Sequence, residues 1–174
     1  FTERVLGFRV GIVQAVAFDS DMTFDRELHM QFDARFEYPE VFLHFSAGIM
    51  SLSPGDNQTI DTPTFTPEFG LMSHFGVGRV FVDAAIAPYV VGGLRPGFKA
   101  YRDNLEGISW HALGVAPYLL LGAQLGRPEA TRFFVELEVA QEVFGLRATE
   151  ELVFVDPIDP VHPTEIGFVV GVGF

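Results

Sequence analysis

Between Phe24 and Tyr38 the chain alternates with period two. Phe24, Leu28, Met30, Phe32, Ala34, Phe36 and Tyr38 fall on one parity, and Asp25, Glu27, His29, Gln31, Asp33, Arg35 and Glu37 on the other. Only Arg26 breaks the rule. Strict alternation over this length is a β signal with no helical reading, because a helix would scatter both classes over every face. Soluble strands usually run about five or six residues, whereas a tilted membrane-spanning strand needs about nine to eleven.

The same grammar recurs along the chain. Leu6, Phe8, Val10 and Ile12 oppose Gly7, Arg9, Gly11 and Val13, and after Tyr38-Pro39-Glu40 the residues Val41, Leu43, Phe45, Ala47 and Ile49 oppose His44, Ser46 and Gly48. These are the first and third strands. A fourth is expected over Thr64–Phe75 and a fifth over Arg79–Gly92, where Val80, Val82, Ala84, Ile86 and Val90 oppose Arg79, Asp83 and Tyr89. The sixth, Ile108–Leu125, calls for a bulge near His111, because Trp110 and Leu113 differ in parity. The seventh, Arg132–Arg147, sets Phe133, Val135, Leu137, Val139 and Val143 against Arg132, Glu136, Glu138 and Glu142, and the eighth is Glu165–Phe174. Pro67, Pro88 and Pro117 fall inside these strands and require local bulges.

Connections alternate in length. They are short at 38–40, at Gly76-Val77-Gly78 and near 126–129, but long at 53–63, 94–107 and 148–164, with 19–23 the short exception. Tight turns at one end and loops at the other are the layout of an outer-membrane barrel, with the turns and both termini in the periplasm. The fold expected is all-β, a single eight-stranded antiparallel up-and-down transmembrane β-barrel over residues 1–174.

Composition agrees with this reading. Mean hydropathy is +0.27, yet no apolar run of about eighteen residues exists, so a transmembrane helix is excluded. Net charge is −12 with Lys99 the single lysine, which excludes nucleic acid as a partner. There is no cysteine for a disulfide or thiolate site, and no cofactor motif. No signal segment opens the sequence at Phe1, so one was cleaved earlier or lies outside it.

Alternation alone does not say which face is out, since a soluble lipocalin-like carrier would place its apolar parity inside. The last strand weighs for lipid outside: its second parity is Gly167, Val169, Gly171 and Gly173, unsuited to water but able to make room for bulky interior neighbours. The terminal alternation Ile166, Phe168, Val170, Val172, Phe174 resembles the recognition signal of outer-membrane barrels of the OmpA/OmpX type. That resemblance implies insertion by the outer-membrane assembly machinery, with Phe168, Val170, Val172 and Phe174 as the signal.

The inward parity supplies the candidate site, a lumen charge network of Arg9, Asp25, Glu27, Asp33, Arg35, Arg79, Asp83, Arg132, Glu136, Glu138 and Glu142. Chain direction puts Asp25 and Glu27 near the outside and Arg9, Arg79 and Arg132 nearer the periplasm. An interior just wide enough for side chains makes this an ion-paired plug. A narrow cation-favouring passage is the alternative.

Ser109 and His111, two apart near the outer rim, raise a lipid-modifying enzyme as another alternative, against which they are a plain polar pair beside Trp110. His29, His44 and His74 share the inward parity, but the turn at Pro39 sets His44 beside Arg35, so no zinc site is expected. The stretch from Asp156 to His162, with Glu150 and Glu151, is an acidic outer loop expected to be simply solvated, with divalent ions among lipopolysaccharide heads or an envelope protein as its alternative contacts. Phe18, Phe24, Tyr38, Phe65, Phe75, Trp110 and Phe133 lie near strand ends, where an interfacial girdle is expected. The expected role is structural and non-enzymatic: an outer-membrane scaffold in contact with lipid and lipopolysaccharide.

Overall fold

The computed structural model describes residues 3–51, 64–81, 84–103, 107–126, 131–148 and 160–174. Eight long strands carry the fold: β1 (Glu3–Ala17), β3 (Glu27–Glu37), β4 (Phe42–Ser51), β5 (Thr64–Val80), β6 (Ile86–Asp103), β7 (Ser109–Leu125), β8 (Arg132–Gln141) and β10 (Pro163–Gly173). Two short ones, β2 (Thr23–Phe24) and β9 (Arg147–Ala148), pair with β5 and β7. Each long strand pairs antiparallel with its neighbours in chain order. The first and last close the cylinder, from Gly7–Gly173 to Ala17–Pro163. Closure pairs the first strand with the last and so leaves no free edge strand, the condition a strand-built wall must meet in lipid.

The side chains sort by parity. Phe32 is 74% exposed and its neighbours Gln31 and Asp33 are buried. Along β8, Phe133, Val135, Leu137 and Val139 point out while Arg132, Phe134, Glu136, Glu138 and Ala140 point in. Phe168 and Val170 face out on β10, and Glu165 and Val169 face in. The apolar parity is therefore the outer surface and the charged parity the interior, the opposite of a soluble carrier.

Several expected boundaries move. The second strand is interrupted at Asp25–Arg26, which explains why Arg26 breaks the alternation: Phe24 belongs to β2 and is buried inside. Gly76-Val77-Gly78 is not a turn, since β5 continues to Val80 and β6 begins at Ile86. The fifth strand lies at Ile86–Asp103, so most of the expected 94–107 loop is barrel wall. Inward Gly93 and Gly97 allow close approach there, because a Cβ at either would strike the carbonyl of Phe75 or Leu71 on β5.

No bulge forms near His111. The β6–β7 register is continuous from Ile86–Leu125 to Arg102–Ser109, because Trp110 points in and Leu113 out on a single alternation. Pro67 does sit at a register shift, between Pro67 and Phe69. Pro88 and Pro117 need none, since each lies one residue past the end of a ladder, at Val80–Tyr89 and Tyr118–Ala140, where one flank needs no amide.

The narrow interior is filled by pairing glycines with bulk. A Cβ on Gly76 would strike the Tyr118 hydroxyl, one on Gly78 the Phe42 ring, and one on Gly122 the Tyr89 ring. On the last strand, Gly171 leaves room for Arg9 and Gly173 for Val5 and Phe134.

Candidate functional site

The lumen is layered along its axis. At the turn end Arg132 is buried and reaches Glu3 at 2.5 Å and Glu37 at 2.8 Å. These groups face a vestibule of about 320 Å³ lined also by Val80, Ala87 and Gln124. Above it the Arg35 guanidinium lies between aromatic faces, 4.2 Å from the Phe134 ring centre and 4.3 Å from that of Tyr89. A planar, weakly hydrated cation suits such a stack.

Glu136 gathers the next layer. It accepts from Arg9 Nη1 at 2.7 Å, from Arg35 Nη2 at 2.8 Å and from the Tyr89 hydroxyl. Asp33 lies 3.2 Å from Arg9 Nη2 and 2.6 Å from His44 Nε2. His44 and His74 then meet around Tyr118: their ring centres are 6.2 Å apart, and that of His74 is 4.9 Å from the phenol. His74 bridges Ser46 at 2.8 Å and Glu138 at 3.0 Å.

Toward the loop end Arg95 spans three carboxylates, Glu138 at 3.3 Å, Glu142 at 3.2 Å and Glu165 at 2.7 Å. Lys99 bonds Glu165 and lies 3.5 Å from Glu27, which holds His29 at 2.6 Å and accepts from the Tyr101 hydroxyl. Ligand atoms of Glu27, His29 and Glu165 fall within 4.8 Å of one another, a spacing a cation would fit, but the Lys99 ammonium already neutralises two of the three. An apolar cluster lies toward this end, where Phe24, Met50, Phe65, Met72, Tyr101, Trp110, Leu146 and Val161 are buried together. Outside the strands, Asp19 accepts from the His162 backbone N–H at 3.0 Å and meets its ring at the same distance. Slight burial pushes the Asp19 carboxyl up, but the two contacts outweigh it and hold the group below its ordinary value.

Of the expected network, the structure brings Arg9, Asp33, Arg35 and Glu136 into one cluster, places Glu27, Glu138 and Glu142 in the loop-ward one, and Arg132 at the turn end. Asp25 sits half-buried at the loop-end rim, where Thr66 donates to it at 2.9 Å. Arg79 is a correction: it is exposed on the outer wall, because β5 runs through the glycines expected to form a turn and its parity there faces out. Asp83, Glu150, Glu151, Asp156 and Asp159 lie outside the described residues. The girdle loses three members for the same kind of reason: Phe24, Phe65 and Trp110 are interior, whereas Phe18, Tyr38, Phe75 and Phe133 are exposed. Ser109 and His111 stand on the outer wall near the rim, with His111 across from Arg147.

Sequence reasoning misses Arg95, Lys99 and Glu165. The first two lie in a segment whose glycines and prolines read as loop, and the third on a strand whose inner parity otherwise carries no charge. With them in place, seven buried carboxylates among the described residues face five buried Arg and Lys cations, so the interior is less polarised along its axis than chain direction implies.

Fold and interior together define a small closed up-and-down barrel whose wall is apolar outside and whose charges are held within. Solved structures share that architecture over almost their whole length. They include Neisserial surface protein A (TM-score 0.61, 9% identity, 98% of this chain and 97% of that one). The N-terminal β-barrel domain of Pseudomonas aeruginosa OprF is similar as well (TM-score 0.52, 12% identity, 98% and 97% covered). So is Ail, the attachment invasion locus protein of Yersinia pestis (TM-score 0.51, 11% identity, 98% and 96% covered). At these identities the likeness is one of fold. No protein-family model and no curated protein matches the sequence.

Proposed function

We propose that this chain is an integral outer-membrane barrel with a structural, partner-binding role, its lumen closed by ion-paired side chains. The observation that carries the reading is the outward apolar stripe, with Phe32, Leu137 and Phe168 exposed on a wall whose long strands run from 10 to 18 residues. In water such a wall would be an extended apolar patch; in a bilayer it is the expected lipid contact. The loop end then faces outward and both termini the periplasm, Phe168, Val170, Val172 and Phe174 form the signal read by the assembly machinery, and the wall meets lipid and lipopolysaccharide. Envelope proteins are the partners for its loops and rim, and nucleic acid is excluded by charge. No catalytic group, cofactor or resident metal enters the account.

Closure of the lumen is what would set this role apart from a cation-favouring pore, and the interior contacts support it. Arg95, Lys99 and their four carboxylates bridge the strands across the axis, with the Phe24, Phe65 and Trp110 cluster toward the same end. Single-channel recording in a planar bilayer is expected to give no conductance steps. Regular cation-selective steps from the purified chain would replace the scaffold reading with the pore.

A further inference from the structure

The barrel wall is not uniformly paired. The β7–β8 ladder runs from Leu125–Phe133 to Tyr118–Ala140 and resumes only through β9, at His111–Arg147 and Trp110–Ala148. Between these points β7 residues 112–117 have no ladder partner on that flank among the described residues. The facing segment bonds the other way, Glu142 N–H donating to Pro163 at 3.1 Å and Leu146 N–H to Val161 at 2.6 Å. Phe144 rests against Gly114, where a Cβ would collide with its ring. Backbone amides and carbonyls left open toward hydrocarbon are costly, so a polar group is expected to meet them.

Directly above the opening, the outer faces of β6, β7 and β9 carry Arg102, Ser109, His111 and Arg147. Arg102 pairs with Ser109, and His111 with Arg147. Opposed side chains on one face lie about 4.5–5.5 Å apart at Cβ and diagonal ones about 7–8 Å, which puts His111 between the two arginines. Both arginines are exposed and His111 is half-buried. Across from Arg102, Thr66 holds the Asp25 carboxylate at 2.9 Å, and Glu68 stands beside it at the β5 bulge; the other outward strand residues of this rim among those described, Gln14, Gln141 and Thr164, are uncharged. Two exposed arginines thus share one outer face of a chain of net charge −12. Directly below, Phe98 opposes Leu113 and Pro96 opposes Val115, and with Phe144 they line one end of an apolar groove of about 1060 Å³ on the outer wall.

The geometry points to a lipid site with two levels: a phosphate between Arg102 and Arg147, and below it an acyl chain along Leu113, Val115 and Phe144, whose ester or amide linkage lies against the open edge of β7. The occupant is a phosphate-bearing lipid of the outer leaflet. This rests on the reading of the chain as a membrane barrel with its loop end outward. Guanidinium groups suit phosphate oxygens, and the unpaired ladder gives the linkage region a use that a plain hydrophobic groove would not have.

Native mass spectrometry of the full chain in detergent, titrated with dioleoyl phosphatidic acid or with dioleoylglycerol, tests the assignment. Phosphatidic acid is expected to bind in preference, with inorganic phosphate a poor competitor. R102Q/R147Q is expected to lose roughly 25-fold in apparent affinity, about fivefold for each cation removed. R26Q, which removes an exposed arginine between β2 and β3, is expected to bind as the wild type does. Equal binding of the two lipids, full competition by inorganic phosphate, or retention of phosphatidic acid by R102Q/R147Q would overturn the site. The heat-modifiable gel shift of a folded barrel, run on the same samples, separates the two readings: a normal shift without lipid preference removes the site alone, and a wild-type chain that is soluble without detergent removes the barrel reading beneath it.

Discussion

Glu136→Gln is expected to destabilise the barrel by about 3–5 kcal/mol, because it removes the carboxylate shared by two buried guanidinium groups and leaves their charge uncompensated. Glu136 receives both Arg9 and Arg35, along with the Tyr89 hydroxyl. The amide is nearly isosteric, so the loss is one of charge rather than of packing. Urea unfolding in detergent micelles, followed by the gel shift, reads it. Adding Arg9→Met to Glu136→Gln is expected to cost less than the two single losses summed, since each change removes the group the other leaves stranded. A Glu136→Gln chain as stable as wild type would mean that water, and not the carboxylate, solvates these cations.

The second large effect is on the other face. Phe32→Arg is expected to cost about 2–4 kcal/mol in lipid, the range for a basic side chain on the lipid face of a barrel near the bilayer midplane. Phe32 lies midway along β3, 74% exposed, with its ring 5.5 Å from that of Phe8 on β1. Folding into bilayers of fixed composition is the suitable readout, because a soluble barrel would gain solubility from the same change. A Phe32→Arg chain that inserts and unfolds like the wild type would show that this stripe does not touch hydrocarbon.

How far the sequence can be read follows from what fills the lumen. β3 is legible because its inner face is polar throughout, Glu27, His29, Gln31, Asp33, Arg35 and Glu37, so polarity and parity agree. On β7 they part: the inward set is Trp110, Ala112, Gly114, Ala116, Tyr118 and Leu120. A rule that equates polar with inside has nothing to grip there, and by that rule Trp110 reads as an interfacial residue.

Gly92, Gly93, Pro96 and Gly97 hide β6 in the same way. In a soluble fold they would punctuate a loop; in a narrow barrel inward glycines are what lets neighbouring strands and large interior side chains approach. Pro96 sits where the β5–β6 pairing skips from Met72–Gly97 to Phe75–Leu94, so its missing amide breaks nothing. Reading that strand as loop leaves Arg95 and Lys99 out of the site, and with them the cations that hold Glu27, Glu138, Glu142 and Glu165.

The assignment of faces is open to one direct test, favoured by the absence of cysteine from the chain. Nitroxide labels on single cysteines introduced in place of Phe32, Leu137 and Val170, with Val169 as the interior site, are measured in liposomes for relaxation by oxygen and by a water-soluble nickel chelate. Labels at the first three positions are predicted to meet oxygen and not nickel, and the label at the Val169 position to be shielded from both. Nickel relaxation at the Phe32, Leu137 and Val170 positions would place the apolar stripes in water and contradict the account.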